Sequence, residues 1–217
     1  MEDLIIPSIV EGHGEVKALP VILRRLLPFL APQKTWQVPE PIRIPKGSFL
    51  NRPDERRRAL DLAAIKGSAA KSSFILILLD SDGACPAVGA PALLAQCRNV
   101  RNDQQMALTF AHHEFEAWFI AAATSLRSVR GLPTDLTRPD NPEAIQDAKG
   151  WLKQRRTGRV YSPTIDQPAF ASLFDMDEAR RHAPSFDKFC RDFESLVQPI
   201  TAESNFPQTS TQENPET

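Results

Sequence analysis

The sequence predicts an α/β fold: a mostly parallel central sheet with helices on both faces, plus a small helical C-terminal extension. Three observations carry this. Leu4 to Val10 and Phe74 to Leu79 are near-continuous β-branched and leucine runs, the pattern of strands covered on both faces. Between them, Glu15 to Leu30 sets Val16, Leu19, Ile22, Leu23, Leu26, Leu27 and Leu30 on one helical stripe. Both apolar runs lead into acids and glycine, Glu11-Gly12-His13-Gly14-Glu15 and Asp80-Ser81-Asp82-Gly83. Parallel strands bring their carboxyl ends to one sheet edge, where open α/β folds bind ligands, so these carboxylates are expected to share a crevice. Acids that close repel one another unless a cation or shared protons compensate. Hard oxygen donors with room for water suit Mg²⁺, with Mn²⁺ as the substitute.

Composition sets the outer bounds. A chain of 217 residues, 41% hydrophobic and 24% charged, supports one domain with a proper core, or one domain plus a small appendage. With 26 basic and 27 acidic side chains the formal charge is -1, so no global basic field points to nucleic acid, although a local basic strip suffices for phosphate contacts. No stretch approaches the ~20 apolar residues that span a bilayer, and Met1-Glu2-Asp3 carries no signal-peptide pattern. A cytoplasmic location without a membrane partner is the default expectation. The three cysteines, Cys85, Cys97 and Cys190, lack paired spacing and fit reduced thiols.

In chain order, Gly12 and Gly14 fall in a strand-to-helix turn, where glycine permits positive φ or close approach to a phosphate. Neither a dinucleotide fingerprint nor a P-loop is present. Pro32 to Pro45 is proline-rich, with a candidate edge strand at Thr35 to Val38 or Ile42 to Ile44, and Lys46-Gly47-Ser48 reads as a mobile basic loop over the crevice. Pro53 to Lys66 is expected to be helical, with Ala59, Leu60, Leu62, Ala63 and Ile65 inward and Arg56, Arg57 and Arg58 outward. Gly89 to Arg98 makes a short helix, and Met106 to Ala111 a third strand. That strand ends in His112-His113-Glu114-Phe115-Glu116, with helical pattern from Glu114, so Glu114 or Glu116 is expected at the same edge as Glu11 and Asp80.

A Pro- and Asp-rich segment, Gly131 to Pro142, separates an α/β core, 1–130, from a helical extension, 131–197. Within the extension, Pro142 to Arg156 is helical with a basic end, and Ala169 to Arg181 and Ser185 to Leu196 are two further helices. The remainder, 198–217, has the composition of a disordered tail.

Plainer readings stand beside the functional ones. Asp-x-Asp-Gly after a strand is also an ordinary turn. Glu114 also suits a helix first turn, and Glu116 a solvated surface. Adjacent histidines on a strand point to opposite faces, so at most one of His112 and His113 faces the crevice, as a ligand or as a packed side chain. His13 is a phosphate contact or has no role, Trp118 and Phe119 read as core, and Arg56 to Arg58 as a solvated face or a nucleic-acid contact.

The paired motifs Glu11-Gly12-x-x-Glu15 and Asp80-x-Asp82 resemble the TOPRIM domain, a Rossmann-like fold shared by topoisomerases, primases and OLD-type nucleases. Adding His113-Glu114-Phe115-Glu116-Ala117-Trp118-Phe119, Tyr161, Asp166-Gln167 and Pro184-Ser185-Phe186-Asp187, residues 3 to about 195 look like a small TOPRIM-like bacterial family, domain of unknown function 4276. The resemblance implies that Glu11 is a metal ligand or general acid/base, that Asp80 and Asp82 hold Mg²⁺, and that Glu114 and Glu116 complete a second metal site. It implies a lysine just after the tyrosine, where this chain has Ser162-Pro163, so Lys46, Lys153 or Arg159 would have to supply that charge. Gly12, His13, Gly14, Glu15, His113, Arg159 and Tyr161 are the candidate phosphate and substrate contacts.

The expected function is a Mg²⁺-dependent nuclease acting on nucleic acid, working with a separately encoded ATPase in an antiphage or mobile-element system, with a homodimer as a further expectation. A non-catalytic nucleotide- or partner-binding module is the alternative from another class. A phosphatase or nucleotide hydrolase is the alternative enzyme.

Overall fold

The computed structural model describes residues 2–82, 86–158 and 160–202. The first apolar run folds as two short strands, β1 (Leu4–Ile5) and β2 (Ser8–Val10). Pro7 has no N–H to give the ladder, yet both halves keep one register on the long strand β5 (Ser72–Asp80), pairing Leu4 with Ser72 and Ser8 with Leu76. On the other side lie β3 (Trp36–Gln37) and β4 (Ile42–Arg43), so both candidate strands in the proline-rich segment exist, each two residues long. β6 (Gln105–Ala111) pairs with the far side of β5, and every described pairing is parallel.

Helix α1 (His13–Leu30) leads from β2 outward to β3, whereas β5 lies on the opposite flank of β2. The carboxyl ends of β2 and β5 therefore border the point where strand order reverses, the crevice in which such sheets bind ligands. Glu11 and Asp80 stand at those ends.

Alternation along β5 assigns its two faces. Phe74, Leu76 and Leu78 join one core with Leu19, Ile22, Leu23 and Leu26 of α1. Ile75, Ile77 and Leu79 join another with Leu60 of α3 (Pro53–Gly67) and Leu93 of α4 (Pro86–Val100). Helices thus cover both faces. The α1 face continues through α5 (Ala117–Ala121), α6 (Ala148–Arg155), α7 (Pro163–Leu173), α8 (Met176–His182) and α9 (Pro184–Ala202), whose Trp118, Leu152, Phe170, Ala179 and Phe193 share its core.

Several local expectations change. Lys46 to Ser48 is the start of α2 (Lys46–Asn51), not a loop. Arg56 is buried and donates to the carbonyls of Phe49 and Leu50, tying α3 to α2, so only Arg57 and Arg58 of the run are exposed. Leu62 and Ile65, assigned inward, are exposed instead. Pro142 to Arg156 is a short 3-10 turn, Pro142–Ala144, followed by α6, and the stretch from Ala169 to Arg181 is split between α7 and α8. The last helix runs through Pro199 to Ala202, past the expected start of the tail; the rest of the tail, 203–217, lies outside the described residues, as do Gly83 and Cys85. Cys97 and Cys190 are buried free thiols, and burial pushes them up to about 11 and about 12 respectively. Among the described residues no helix is long and apolar enough to cross a membrane.

Candidate functional site

Three parallel strands end at one edge, and their acids meet there. Asp80, the last residue of β5, accepts the Phe115 N–H on Oδ1 at 2.8 Å, which locks it to the segment leaving β6. That segment turns sharply: Ser81 Oγ accepts the His113 N–H at 2.8 Å, and His113 takes a positive φ of 59°. Helical structure begins at Ala117, three residues later than the sequence pattern places it. The delay turns Glu116 inward, with 0% exposure, where a solvated position was the plain alternative.

Glu116 is held from the extension. Its Oε1 accepts the Tyr161 hydroxyl at 2.9 Å and Gln167 Nε2 at 2.9 Å. Gln167 in turn lies against Gly14, where a Cβ would stand 2.0 Å from its Oε1. Glu15 curls back over Gly12 in the same way, with a Cβ there 2.1 Å from Oε2. The two glycines leave room for these side-chain ends in their present positions; Gly12 has a φ of -101° and neither adopts positive φ. His13 is exposed at the start of α1.

Among the described residues three buried carboxylate oxygens have no hydrogen-bond partner: Glu11 Oε2, Glu15 Oε2 and Glu116 Oε2. Burial raises the Asp80 carboxyl well above its ordinary value, reinforced by the charges of Glu15, Glu116 and Glu11. Burial likewise raises Glu11, aided by Asp82, and raises Glu116 against the opposing pull of Lys149. Such unsatisfied hard oxygen donors fit Mg²⁺ or Mn²⁺.

The centre of the cluster is occupied by a side chain absent from the sequence-based candidates. Lys149 Nζ stands 3.3 Å from Glu114 Oε1, 3.7 Å from Glu116 Oε2 and 3.9 Å from Asp80 Oδ2. Burial alone lowers the ammonium pKa, but Glu116, Asp80 and Glu114 together outweigh it and the net shift is upward. The Lys149 backbone N–H also donates to Glu114 Oε2 at 2.9 Å. Among the described residues no group of three or more His, Cys, Asp or Glu is spaced to hold a metal ion. One signal existed: a lysine in the first turn of a helix opposes the macrodipole and needs another reason to be there. Reading Pro142 to Arg156 as one helix hid it.

The other candidates lie on the rim. Asp82, 66% exposed, pairs with Lys46 at 2.8 Å instead of joining the buried acids, and Arg43 Nη1 reaches the Glu11 carbonyl at 3.5 Å. Asp82, His113, Glu114 and Gln146 line an open depression of about 380 Å³. His112 turns away, its Nδ1 2.6 Å from the Glu143 carbonyl, so only His113 faces the site. Trp118 and Phe119 are core, as expected. Of the three proposed substitutes for the missing lysine, Lys46 is at the rim, Lys153 is exposed near the end of α6 and Arg159 lies outside the described residues; a fourth cation, Lys149, stands at the centre.

Fold and site together define an α/β protein with a carboxylate-lined centre at the carboxyl edge of a parallel sheet. The chain belongs to the family described as Domain of unknown function (DUF4276), whose profile matches residues 10–194 and so spans every described residue of this centre. No curated protein and no solved structure matches the chain.

Proposed function

We propose that this chain is a Mg²⁺- or Mn²⁺-dependent phosphoryl-transfer enzyme, a nuclease that cleaves phosphodiester bonds in the cytoplasm. The observation that carries the reading is the set of three buried carboxylate oxygens without a hydrogen bond among the described residues, Glu11 Oε2, Glu15 Oε2 and Glu116 Oε2, around Asp80 at the strand-order reversal. Buried acids without partners are costly unless they serve a ligand. The TOPRIM resemblance of Glu11-Gly12-x-x-Glu15 and Asp80-x-Asp82 points the same way, and it is also the basis for proposing a separately encoded ATPase partner in a defence system.

Glu11, Glu15, Asp80, Glu114 and Glu116 are the residues that would hold divalent cations. When bound, such ions neutralise charge developing on the phosphate and acidify a water. Tyr161 and Gln167 fix the direction of Glu116, and the Phe115 N–H fixes Asp80, so the donors are preorganised. If Glu11 does not ligate the ion, its raised carboxyl pKa suits it to accept the proton of the attacking water. Lys46, ion-paired with Asp82, and His113 are the rim groups that would meet the phosphate chain.

A second reading has one observation in its favour. The Lys149 ammonium already neutralises part of the cluster, as a metal-free binding module would require.

The test is cleavage of supercoiled DNA, single-stranded DNA and RNA with Mg²⁺ or Mn²⁺, by the parent and by Asp80→Asn. Asparagine keeps the carbonyl that accepts from Phe115, so the variant is expected to fold and to lose cleavage. A parent that leaves all three substrates intact with either metal contradicts the nuclease reading.

A further inference from the structure

We infer that Lys149 is a placeholder cation, whose ammonium holds the acidic centre together until a divalent ion displaces it. The inference rests on the metal reading above and deepens it by stating how the site is kept when empty and what binding must move.

The geometry separates this lysine from a structural ion pair. Asp166, which is structural, takes Arg156 Nη1 and Arg130 Nε each at 2.5 Å, with the Arg156 and Asp166 side chains only 1% and 2% exposed. Lys149 commits to nobody: of its three carboxylates only Glu114, at 3.3 Å, is within hydrogen-bonding reach, while Glu116 and Asp80 at 3.7 and 3.9 Å are not. Its ammonium sits where the field of three acids draws any cation, and it brings one charge where a divalent ion brings two. It also leaves Glu116 Oε2 without a hydrogen bond, an oxygen that a directly bonded ion satisfies.

Displacement is also mechanically simple. The Lys149 backbone N–H keeps Glu114 Oε2 at 2.9 Å whether or not the ammonium stays, so the acid is not released when the side chain leaves. The side chain is 38% exposed on a flexible four-carbon stem, which leaves it a route to solvent along the rim. The first turn of α6 gives the ammonium no electrostatic reason to return once the acids are neutralised.

The experiment is Mn²⁺ binding to the full chain, followed by the spin-resonance signal of free Mn²⁺, for the parent, Lys149→Met and Lys188→Met. Lys188 pairs with Asp192 on α9 and serves as a lysine-removal control. Lys149→Met is expected to bind Mn²⁺ about tenfold tighter, the size of an ordinary coupling between two ligands, and Lys188→Met to match the parent. A second measurement needs no variant: labelling of Lys149 in the parent by an amine-reactive reagent, read by peptide mass, is expected to rise severalfold with saturating Mg²⁺. Folded Lys149→Met that binds Mn²⁺ no tighter than the parent overturns the inference while leaving the metal site standing. So does Lys149 labelling that Mg²⁺ leaves unchanged, which decides the matter if the variant does not fold. Absence of Mn²⁺ binding by both parent and variant overturns the metal reading itself, and the inference with it.

Discussion

Tyr161 donates its hydroxyl to Glu116 Oε1 at 2.9 Å, joining the extension to the acid that lies deepest in the site. Burial, and then the Glu116 carboxylate, push the phenol pKa upward, so Tyr161 is a neutral donor throughout the working range. Tyr161→Phe leaves Glu116 Oε1 with Gln167 alone. The expected loss is about 1–1.5 kcal/mol. Thermal unfolding is expected to drop by roughly 2–6 °C, with cleavage reduced more than that loss explains because Glu116 is no longer aimed.

The glycines of the turn make a sharper test. A methyl at Gly14 meets Gln167 Oε1 at 2.0 Å, whereas one at Gly47 meets nothing within 4 Å. Gly14→Ala is therefore expected to destabilise by about 1–3 kcal/mol through overpacking and to weaken Mn²⁺ binding by shifting Gln167 off Glu116. Gly47→Ala, in α2, should be neutral or slightly stabilising on helix propensity. Urea unfolding of the pair decides it; equal midpoints would show that the turn has room the geometry denies.

Asp166 anchors the extension through Arg130, Arg156 and the Ser162 N–H at 2.6 Å. Burial alone would raise its carboxyl, but the Ser162 bond and the two guanidinium groups outweigh it, and the folded value is depressed. Its contribution to stability is thus present above the unfolded carboxylate pKa and lost as pH falls through the lower folded one. Asp166→Asn leaves Arg156 buried without its charge partner and is expected to cost about 3–5 kcal/mol at neutral pH, measured by chemical unfolding.

The acids of the centre run the other way. Burial first, and neighbouring carboxylates next, raise Glu11 and Asp80, and burial raises Glu116. The folded chain therefore keeps these protons to higher pH than the unfolded chain, and metal-free stability falls as pH climbs from the unfolded carboxylate range through the raised values. Divalent cations bind the ionised form, so affinity rises across that same window and levels above it, with protons released on binding. Calorimetric titration of Mg²⁺ in buffers of different ionisation enthalpy measures the release, expected to be largest in mild acid. A binding heat independent of buffer at every pH would place the ion elsewhere.

What could be read from the chain itself was whatever repeats locally. Apolar runs gave β5 and β6, the helical stripe gave α1, and the acids following strands located the edge because strand parallelism carries every carboxyl end to one side. The sequence likewise supplied Glu11, Glu15, Asp80, Glu114 and Glu116 as candidates for the acidic centre and Trp118 as core. Prolines marked the broken partner strand without revealing that both of its halves pair.

Tertiary structure alone decided which acids are inside. Asp80 and Asp82 differ by two residues, yet one is locked on Phe115 and the other is exposed on Lys46, because the chain leaves the strand at Ser81 and no periodic signal reports a turn direction. Glu116 is buried through Tyr161 and Gln167, and Lys149 reaches Glu114 from 35 residues further along the chain, beyond α5 and a series of short 3-10 turns. Contacts of that kind depend on how the extension docks against α1, a long-range packing outcome of shape and burial that no local pattern encodes.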